Sequence, residues 1–253
     1  MADGKKVALI TGANRGIGFE TAKQLGEQGV TVVLGSRKLS DAEAAAARLK
    51  SAGIDGYAVQ LDITKAADRA AAYKFIEEKF GKLDILVNNA GILVAAPDTD
   101  LSKGFPPNRT SQTPDEELRN VFETNVFSVV RVTEQFLPLL KKSDAGRIVN
   151  LSSVLGSLTL HADPNSPIAD FKNFSYDASK TALNAYTIHL AHELKNTPIK
   201  VNSVHPGWVK TDMGTDAAPM EIPEGAKTSV AAALLGPDGP SGHFIHLGQE
   251  LPW

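Results

Sequence analysis

Tyr176 and Lys180 are the residues of this chain whose types and spacing best suit proton transfer. Residues four apart lie on the same face of a helix. A phenol has a pKa of about 10 and is a poor acid at neutral pH, whereas a nearby ammonium favours the phenolate and lowers that pKa. The pair therefore predicts a centre for general acid–base chemistry. The alternative is an ordinary pair of surface side chains.

A glycine-rich turn, Thr11–Gly18, follows the first apolar run and opens a helical pattern. Gly12 can turn the chain sharply, Gly16 lets the backbone approach a pyrophosphate, and Gly18 lets the helix pack on the strand. The helix N-terminus presents unpaired N–H groups and the positive end of the helix dipole. Because the Lys-Ser/Thr ending of a Walker A loop is missing, the turn predicts a dinucleotide site.

The end of the second apolar run bears on the choice of nucleotide. A site for NAD carries an acidic residue there, which binds the ribose 2′-hydroxyl, but this chain reads Leu34-Gly35-Ser36-Arg37-Lys38. Arg37 can meet a 2′-phosphate, and Arg15 in the glycine turn could reach the same group. The combination favours NADP(H); two solvated surface cations are the alternative.

Three other polar or aromatic residues leave two roles open each. Asp62, after the third apolar run, could bind an adenine amino group or cap the next helix. His205 could touch the cleft or be a buried structural histidine, and Trp208 could line the substrate site or pack within its loop. The histidines and carboxylates of the chain show no zinc-site spacing, so we expect no metal.

Strand and helix patterns alternate along the chain and must position these residues. Seven short apolar runs predict strands at Val7–Thr11, Val30–Leu34, Tyr57–Leu61, Ile85–Asn88, Arg147–Leu151, Lys200–Val204 and His243–His246. Helical spacing covers Gly18–Gln28, Asp41–Ser51, Ala66–Phe80, Pro114–Lys142, Tyr176–Leu194 and Glu224–Leu235. The alternation predicts an α/β fold with a doubly wound (Rossmann) parallel seven-stranded sheet and helices on both faces.

Composition narrows the class of protein further. The 253 residues are 42% hydrophobic and 22% charged, which is a globular balance, and we expect a single domain spanning residues 1–253. A net charge of −3 argues against nucleic acid or an anionic membrane as partner. There is no cysteine, so disulfides, thiolate metal sites and a cysteine nucleophile are excluded. Neither a signal peptide nor a membrane-length apolar run is recognisable, so we expect a cytoplasmic protein.

In combination, these motifs resemble those of the classical short-chain dehydrogenase/reductases. The resemblance extends over nearly the whole chain, and the motifs occur in the family's order at the expected strand ends and helices. They are the Thr11–Gly18 turn, Asn88-Asn89-Ala90-Gly91, Asn125, Ser153, Tyr176-x-x-x-Lys180 and Pro206-Gly207-Trp208-Val209-Lys210-Thr211. The carbonyl-reductase-like branch is the most similar, judged by Asn14-Arg15, the inserted segment before Tyr176 and the ending Gly248–Trp253.

The resemblance implies hydride transfer between a nicotinamide and a carbonyl or alcohol carbon. In reduction, Tyr176 would donate its proton to the carbonyl oxygen, and Ser153 would hold that oxygen. Lys180 would lower the pKa of Tyr176 and bind the nicotinamide ribose. Asn125 would support a water that relays protons towards Lys180.

The same resemblance implies a set of residues that bind the cofactor. From the glycine turn and the first strand ends they are Gly12, Asn14, Arg15, Gly16, Ile17, Gly18, Arg37, Asp62 and Ile63. From the later segments they are Asn89, Ala90, Gly91, Tyr176, Lys180, Pro206, Gly207, Val209 and Thr211.

Two features depart from the simplest members of the family. Ser152 and Ser153 are adjacent, and we choose Ser153 because the family's serine commonly precedes a pattern like Val154-Leu155-Gly156. The gap from Ser153 to Tyr176 is longer than is typical, because of an extra segment, Ala162–Phe174, that we expect to border the substrate cleft. Since this segment could interfere with the helix packing of tetrameric relatives, the protein is expected to be a monomer or a homo-oligomer.

The leading functional hypothesis is an NADPH-dependent reductase of ketones or aldehydes. An alcohol dehydrogenase working in the oxidative direction would use the same residues. A nucleotide-sensing regulator without chemistry is a third hypothesis, but such proteins usually lose the Tyr or the Lys, and this chain keeps both. The small-molecule substrate would be selected by Gly91–Ala96, Leu155–Phe174 and Trp208–Ile222, the last acting as a lid.

Overall fold

The computed structural model describes residues 5–94 and 110–253. The end of Gly91–Ala96, one of the segments expected to select the substrate, lies outside the described residues.

A single sheet runs through the described part of the chain. Its strands are β1 (Val7–Thr11), β2 (Thr31–Ser36), β3 (Gly56–Gln60), β4 (Ile85–Asn88), β5 (Arg147–Leu151), β6 (Lys200–Val204), β7 (Phe244–His246) and β8 (Gln249–Glu250). The spatial order is β3-β2-β1-β4-β5-β6-β7-β8. The seven predicted strands are confirmed and pair in parallel. The two-residue β8, which the sequence did not predict, adds an antiparallel edge to β7.

Within residues 5–94 and 110–253, eight α-helices connect or flank these strands. They are α1 (Gly16–Glu27), α2 (Leu39–Ser51), α3 (Ala66–Phe80), α4 (Asp115–Phe122), α5 (Ser128–Leu140), α6 (Leu158–Ala162), α7 (Phe174–Glu193) and α8 (Ile222–Ala233). The stretch predicted as one helix over Pro114–Lys142 is instead α4 and α5, joined by a π-helical turn at Glu123–Phe127. The short α6 was not predicted; its N-cap is Ser157, whose side chain accepts a hydrogen bond from the Leu160 N–H at 3.2 Å.

Both faces of the sheet are covered by helices, as predicted. Successive β-strand residues point to opposite faces, so Leu9 packs with α3, α5 and α7 residues such as Ile76 and Phe136. Its neighbour Ile10 packs on the other face with α1, α2 and α8 residues, including Leu25. Each strand is therefore apolar on both sides, which explains why the strands read as continuous apolar runs rather than alternating ones.

The strand order reverses between β1 and β4. The chain proceeds outward from β1 to β3 and then returns to the other side of β1. At such a reversal the loops that leave the carboxyl ends of the two strands diverge and leave a crevice for a ligand. The glycine turn leaves β1 and the Asn89–Gly91 segment leaves β4, so both predicted cofactor segments lie at this point.

Among the described residues, no helix combines the length and the apolar character that crossing a membrane would require.

Candidate active site

The glycine turn has the shape that its glycines were predicted to allow. Gly12 and Gly16 adopt positive φ angles of 63° and 58°, a conformation that side chains disfavour. A Cβ atom on Gly18 would lie 2.6 Å from the Gly12 carbonyl oxygen and collide with the Asn89 amide. The turn is therefore close-packed as well as sharply bent, and α1 starts directly from it.

Asn89 holds this turn in place from the neighbouring strand. Its side-chain amide donates to the carbonyl oxygens of Thr11, at 2.7 Å, and Gly12, at 3.1 Å. In return the Thr11 hydroxyl accepts from the backbone N–H groups of Asn89 and Ala90, each at 3.0 Å. The loops after β1 and β4 thus form one hydrogen-bonded unit.

The N-terminus of α1 suits an anionic group. Its first turn holds no acidic residue, and the preceding Arg15 has extended backbone without a side-chain cap. The orphan N–H groups of this turn and the dipole therefore face outward without a competing carboxylate. The residues present fit the pyrophosphate of a dinucleotide.

The two arginines predicted to meet a 2′-phosphate differ in their surroundings. Arg37 is exposed directly after Ser36, the buried last residue of β2. Arg15 forms an ion pair with Asp212 at 2.6 Å, and both side chains are mostly exposed. An exposed pair of this kind adds little stability, so Arg15 remains available to a phosphate that competes with Asp212.

Asp62 makes local bonds after β3. Its carboxylate accepts from the Thr64 N–H at 3.1 Å and the Thr64 hydroxyl at 2.7 Å. Partial burial by itself would raise the pKa of Asp62, but these bonds and the nearby Lys65 outweigh burial and lower it. The N-cap of helix α3 is Lys65, so the helix cap, one of the two roles left open for Asp62, does not apply. The adjacent Ile63 is buried.

The loop after β6 lies beside the glycine turn. A Cβ atom on Gly16 would be 3.7 Å from Cγ2 of Thr211. Val209 is buried and pairs with Met220 in a short bridge, which anchors the loop. Preceding it, Pro206 is buried and Gly207 adopts a φ of 92°. The loop therefore closes over the same side of the crevice as the N-terminus of α1.

Trp208 projects from this loop. Its indole N–H donates to the Gly214 carbonyl oxygen at 2.7 Å, while 39% of the residue is exposed. The indole ring is thus held by its own loop, while part of Trp208 stays exposed.

Ser153 and Tyr176 lie next to each other in the folded chain. The Ser153 side chain lies close enough to the Tyr176 phenol to lower its pKa, and the Ser153 oxygen accepts from the Leu155 N–H at 3.2 Å. The hydroxyl of Ser152 instead faces the Lys180 carbonyl oxygen at 3.5 Å. Of the two adjacent serines, Ser153 is therefore the one that faces the phenol.

Lys180 lies beside the same phenol ring. Its ammonium donates to the Leu151 carbonyl oxygen at 2.7 Å and is 5.5 Å from the centroid of the Tyr176 ring. Both side chains are buried. The i, i+4 pair is therefore a buried pair in the first two turns of α7, and the alternative of two surface residues is wrong.

Burial dominates the acidity of this pair. It raises the pKa of Tyr176 to about 12; the Ser153 hydrogen bond lowers that pKa, and the charge of Asp177 raises it. Burial also lowers the pKa of Lys180 to about 8. We expected Lys180 to lower the pKa of Tyr176. Burial removes solvent from both groups and therefore acts in the opposite direction.

Asn125 joins three segments around this pair. It lies in the π-helical turn between α4 and α5, an irregularity often found at functional sites. Its amide accepts from the Ile92 N–H at 2.8 Å and donates to the Ile92 carbonyl at 2.8 Å and the Ser179 hydroxyl at 3.0 Å. A Cβ on Gly91 would lie 3.3 Å from the Asn125 oxygen and 3.6 Å from the Lys180 ammonium. The described contacts of Asn125 thus fix Ile92 and Gly91 against α7.

His205 proves to be a structural histidine. Its Nδ1 accepts from the Val154 N–H at 3.2 Å, directly after Ser153. Burial, together with His246, lowers the pKa of His205 to about 3, so the ring is neutral. It supports the turn that carries Ser153.

The sequence did not identify a group of polar side chains that joins the inserted segment to α7. It consists of His161, Lys172, Asn173 and Asp177, which contact one another beside Tyr176. Asn173 is the N-cap of α7, a role its position three residues before Tyr176 could have suggested. The contacts of His161 and Lys172 depend on the folded insert and leave no comparable signal in the sequence.

The fold and the site together define a Rossmann-fold oxidoreductase. A match to the short chain dehydrogenase family covers residues 6–222, and the chain belongs to this family. It is 34% identical to (+)-neomenthol dehydrogenase of Capsicum annuum, over 95% of this chain and 95% of that protein.

Two solved structures are similar over nearly their full length. Salutaridine reductase from Papaver somniferum has a TM-score of 0.80 and 33% identity, covering 95% of this chain and 99% of that one. An NADPH-bound carbonyl reductase from chicken fatty liver has a TM-score of 0.80 and 27% identity, covering 98% and 99%. The predicted resemblance to the family and to its carbonyl-reductase-like branch is confirmed.

Proposed function

We propose that this oxidoreductase reduces ketones or aldehydes with NADPH and that Tyr176 is its proton donor. The observation that carries the proposal is the proximity of the Ser153 side chain to the Tyr176 phenol, which brings two hydroxyl groups together beside Lys180. A carbonyl oxygen placed there would accept from both as negative charge develops on it. Donors fixed in advance at that position stabilise the transition state.

Each residue would have a separate task in this reaction. The nicotinamide, when bound, supplies the hydride. Tyr176 donates the proton, and Ser153 holds the carbonyl oxygen through its hydroxyl. Lys180, anchored to the Leu151 carbonyl, places a positive charge near the phenol and so stabilises the phenolate left after proton transfer.

The preference for NADPH follows from the end of β2. Arg37 follows Ser36 where an acidic residue would bind the 2′-hydroxyl of NAD, and Arg15 lies in the glycine turn after β1. An acidic residue would repel a 2′-phosphate, whereas Arg37 attracts it. The similar chicken carbonyl reductase is bound to NADPH, which supports the same choice.

The residues proposed for cofactor binding fall into three groups. Gly12, Asn14, Arg15, Gly16, Ile17 and Gly18 would hold the pyrophosphate; Arg37, Asp62, Ile63, Asn89, Ala90 and Gly91 would bind the adenosine half; Tyr176, Lys180, Pro206, Gly207, Val209 and Thr211 would bind the nicotinamide half. We also propose that the substrate is a small molecule and that the protein acts in the cytoplasm as a monomer or a homo-oligomer.

The second candidate function is oxidation of an alcohol. Tyr176 as phenolate would then accept the proton that it donates in reduction, so the same residues serve both directions. The similarity to (+)-neomenthol dehydrogenase favours keeping this candidate. A nucleotide sensor without chemistry would not need the buried Ser153–Tyr176–Lys180 arrangement.

The test follows NADPH absorbance with a panel of ketones and aldehydes. We expect turnover by the unaltered protein and a loss of about 10²–10⁴-fold in kcat for Tyr176→Phe, since general acid catalysis contributes that range. Tyr73→Phe removes a phenol that bonds to Glu77 on α3 and should leave kcat unchanged. Activity of Tyr176→Phe at the unaltered level would refute the assigned acid.

A further inference from the structure

The group formed by His161, Lys172, Asn173 and Asp177, named here the insert clamp, joins the inserted segment to the first turn of α7. Asp177 is buried at 8% exposure, and His161 and Lys172 are half-buried. None of the four residues belongs to the site described so far. Three of them are ionisable groups held within the same buried network.

The first part of the insert clamp is a reciprocal cap around Tyr176. The Asn173 side-chain oxygen accepts from the Tyr176 N–H at 3.3 Å and from the Ser175 hydroxyl at 2.9 Å. In the opposite direction, the Asn173 N–H donates to Oδ2 of Asp177 at 2.9 Å. The Asn173 side chain thus caps the Tyr176 N–H, while the Asp177 carboxylate caps the Asn173 N–H; the arrangement is similar to a capping box, and Tyr176 lies between the two residues in the helix.

The second part connects this cap to the turn that carries Ser153. Lys172 donates to Nδ1 of His161 at 2.9 Å, so the His161 proton is on Nε2 and is donated to the Leu155 carbonyl at 2.9 Å. The same Nε2 is 3.5 Å from Oδ2 of Asp177. Leu155 in turn donates its N–H to Ser153. A continuous chain of contacts therefore leads from the oxygen of Ser153 to the cap around Tyr176.

Two further bonds tie the cap to the opposite side of the cleft. The Asn173 amide donates to the Val94 carbonyl at 3.3 Å, after β4. The Ser175 hydroxyl also contacts Glu117 of α4 at 2.5 Å. Asn173 is consequently bonded to the segment after β4 as well as to α7.

We propose that Asn173 and Asp177 are positioning residues, through which the inserted segment sets the distance and orientation between Tyr176 and Ser153. This inference rests on the proposed function, because it concerns the groups that would hold the carbonyl oxygen. The insert lengthens the chain segment between Ser153 and Tyr176. In this proposal it also holds the two catalytic residues in position.

The charge of Asp177 adds an electrostatic effect to the geometric one. The ionisable groups that face it are His161 of α6, Lys172 before α7 and Tyr176 on α7, and Glu117 of α4 reaches the same turn through Ser175. An ionised Asp177 raises the pKa of Tyr176. Asp177 therefore influences the phenol by charge as well as by position.

The geometric effect is tested by Asn173→Ala. A displacement of about 1 Å at a catalytic group costs up to about 10²-fold, so we expect kcat to fall about 10- to 100-fold while the KM for NADPH stays within about twofold. Asn173→Ser, which can still cap α7, should restore most of kcat. An unchanged kcat in folded Asn173→Ala, or equal losses in the Ala and Ser variants, would overturn the proposal.

Thr197→Ala is the matched control for a general weakening of α7. Thr197 bonds to the Leu194 carbonyl and to the Ile199 N–H just beyond the far end of that helix. This variant should lose stability and keep kcat. A loss of kcat as large as that of Asn173→Ala would mean that any weakening of α7 suffices, and would overturn the positioning role.

The electrostatic effect is tested by Asp177→Asn, which keeps an oxygen to accept from Asn173 and removes the charge. The Tyr176 phenol should titrate at lower pH in this variant. Tyrosinate absorbance can be followed without turnover, and subtracting the curve of the matching Tyr176→Phe protein isolates this phenol among the four tyrosines of the chain. A phenol that titrates at the same or a higher pH would overturn the electrostatic part.

The two proposals fail in different ways. If the protein fails to oxidise NADPH with every carbonyl compound of the panel, the proposed function is refuted, and the tyrosinate titration still tests the effect of Asp177. A protein that is an active reductase, with Tyr176→Phe inactive and Asn173→Ala fully active, would keep the proposed function and overturn the positioning role.

Discussion

The two sides of the crevice are built by different means. The cofactor side consists of the glycine turn and the loops after β4 and β6, where backbone conformation and close packing at Gly12, Gly16 and Gly18 create the shape. The catalytic side consists of the Ser153 turn and the start of α7, which are joined by side chains of the insert clamp. A site shaped by backbone conformation depends on residues that are near one another in the sequence. A site held together by side-chain contacts depends on residues that meet only in the folded protein.

The largest effect is expected on the catalytic side, for Lys180→Met. Removing the ammonium leaves the Leu151 carbonyl without its donor and the phenolate without its neighbouring charge, so kcat should fall by about 10² or more. Single-turnover NADPH oxidation measures the loss. Lys195→Met, an exposed lysine beyond α7, is the control; a similar loss there would contradict a specific role.

On the cofactor side, Gly18→Ala should act through packing. The added Cβ would lie 2.6 Å from the Gly12 carbonyl oxygen, so the turn must shift at a cost of about 1–3 kcal/mol. We expect NADPH affinity to fall about tenfold or more by titration calorimetry. Gly236→Ala meets no atom within 4 Å and should bind normally; unchanged binding by Gly18→Ala would disprove the tight packing.

The cofactor preference should respond to Arg37→Asp. This change replaces a charge that attracts the 2′-phosphate by one that repels it and can bind a 2′-hydroxyl. The ratio of NADPH to NADH affinity should fall by about tenfold, or about 1.4 kcal/mol. Lys38→Asp, at the adjacent exposed position, tests whether charge alone suffices. Equal effects from both variants would mean that the preference for NADPH comes from the local positive charge as a whole and not from Arg37.

The smallest effect concerns stability as a function of pH. Burial raises the pKa of Asp177 from 3.8 to about 7; the Asn173 N–H and Lys172 lower it. A raised carboxyl pKa means that the unfolded chain ionises first, so the folded state loses stability as pH rises from about 4 to about 7. The variant Asp177→Asn has no carboxyl group at this position, so its stability does not fall with pH for this reason. Between these pH values the wild-type Tm should fall by at least about 2–4 °C relative to the variant; parallel Tm curves would contradict the burial of the charge.

The elements that were predictable are those with local signals. The apolar runs identify the seven parallel strands, and the glycine spacing identifies the turn after β1, because each depends on residues within a few positions. Tyr176 and Lys180 were found for the same reason. Their side chains share one helix face whatever surrounds them.

The parts that were missed depend on tertiary contacts. Nothing in the run from Pro114 to Lys142 marks the π-helical turn at Asn125, whose amide bonds to Ile92 after a different strand. His161 likewise belongs to the insert clamp only because the folded chain brings it to Leu155. The raised pKa of Tyr176 also required the folded structure, because it depends on burial.

The central claim is that Ser153 and Tyr176 act on one oxygen, and a double-mutant cycle tests it most directly. The kcat of carbonyl reduction is compared for Ser153→Ala, Tyr176→Phe and the double variant, with Ser152→Ala as control. We expect large losses in both single variants, a double variant little slower than the worse of the two, and near-normal activity for Ser152→Ala. Losses that multiply in the double variant would show two independent roles and contradict the claim.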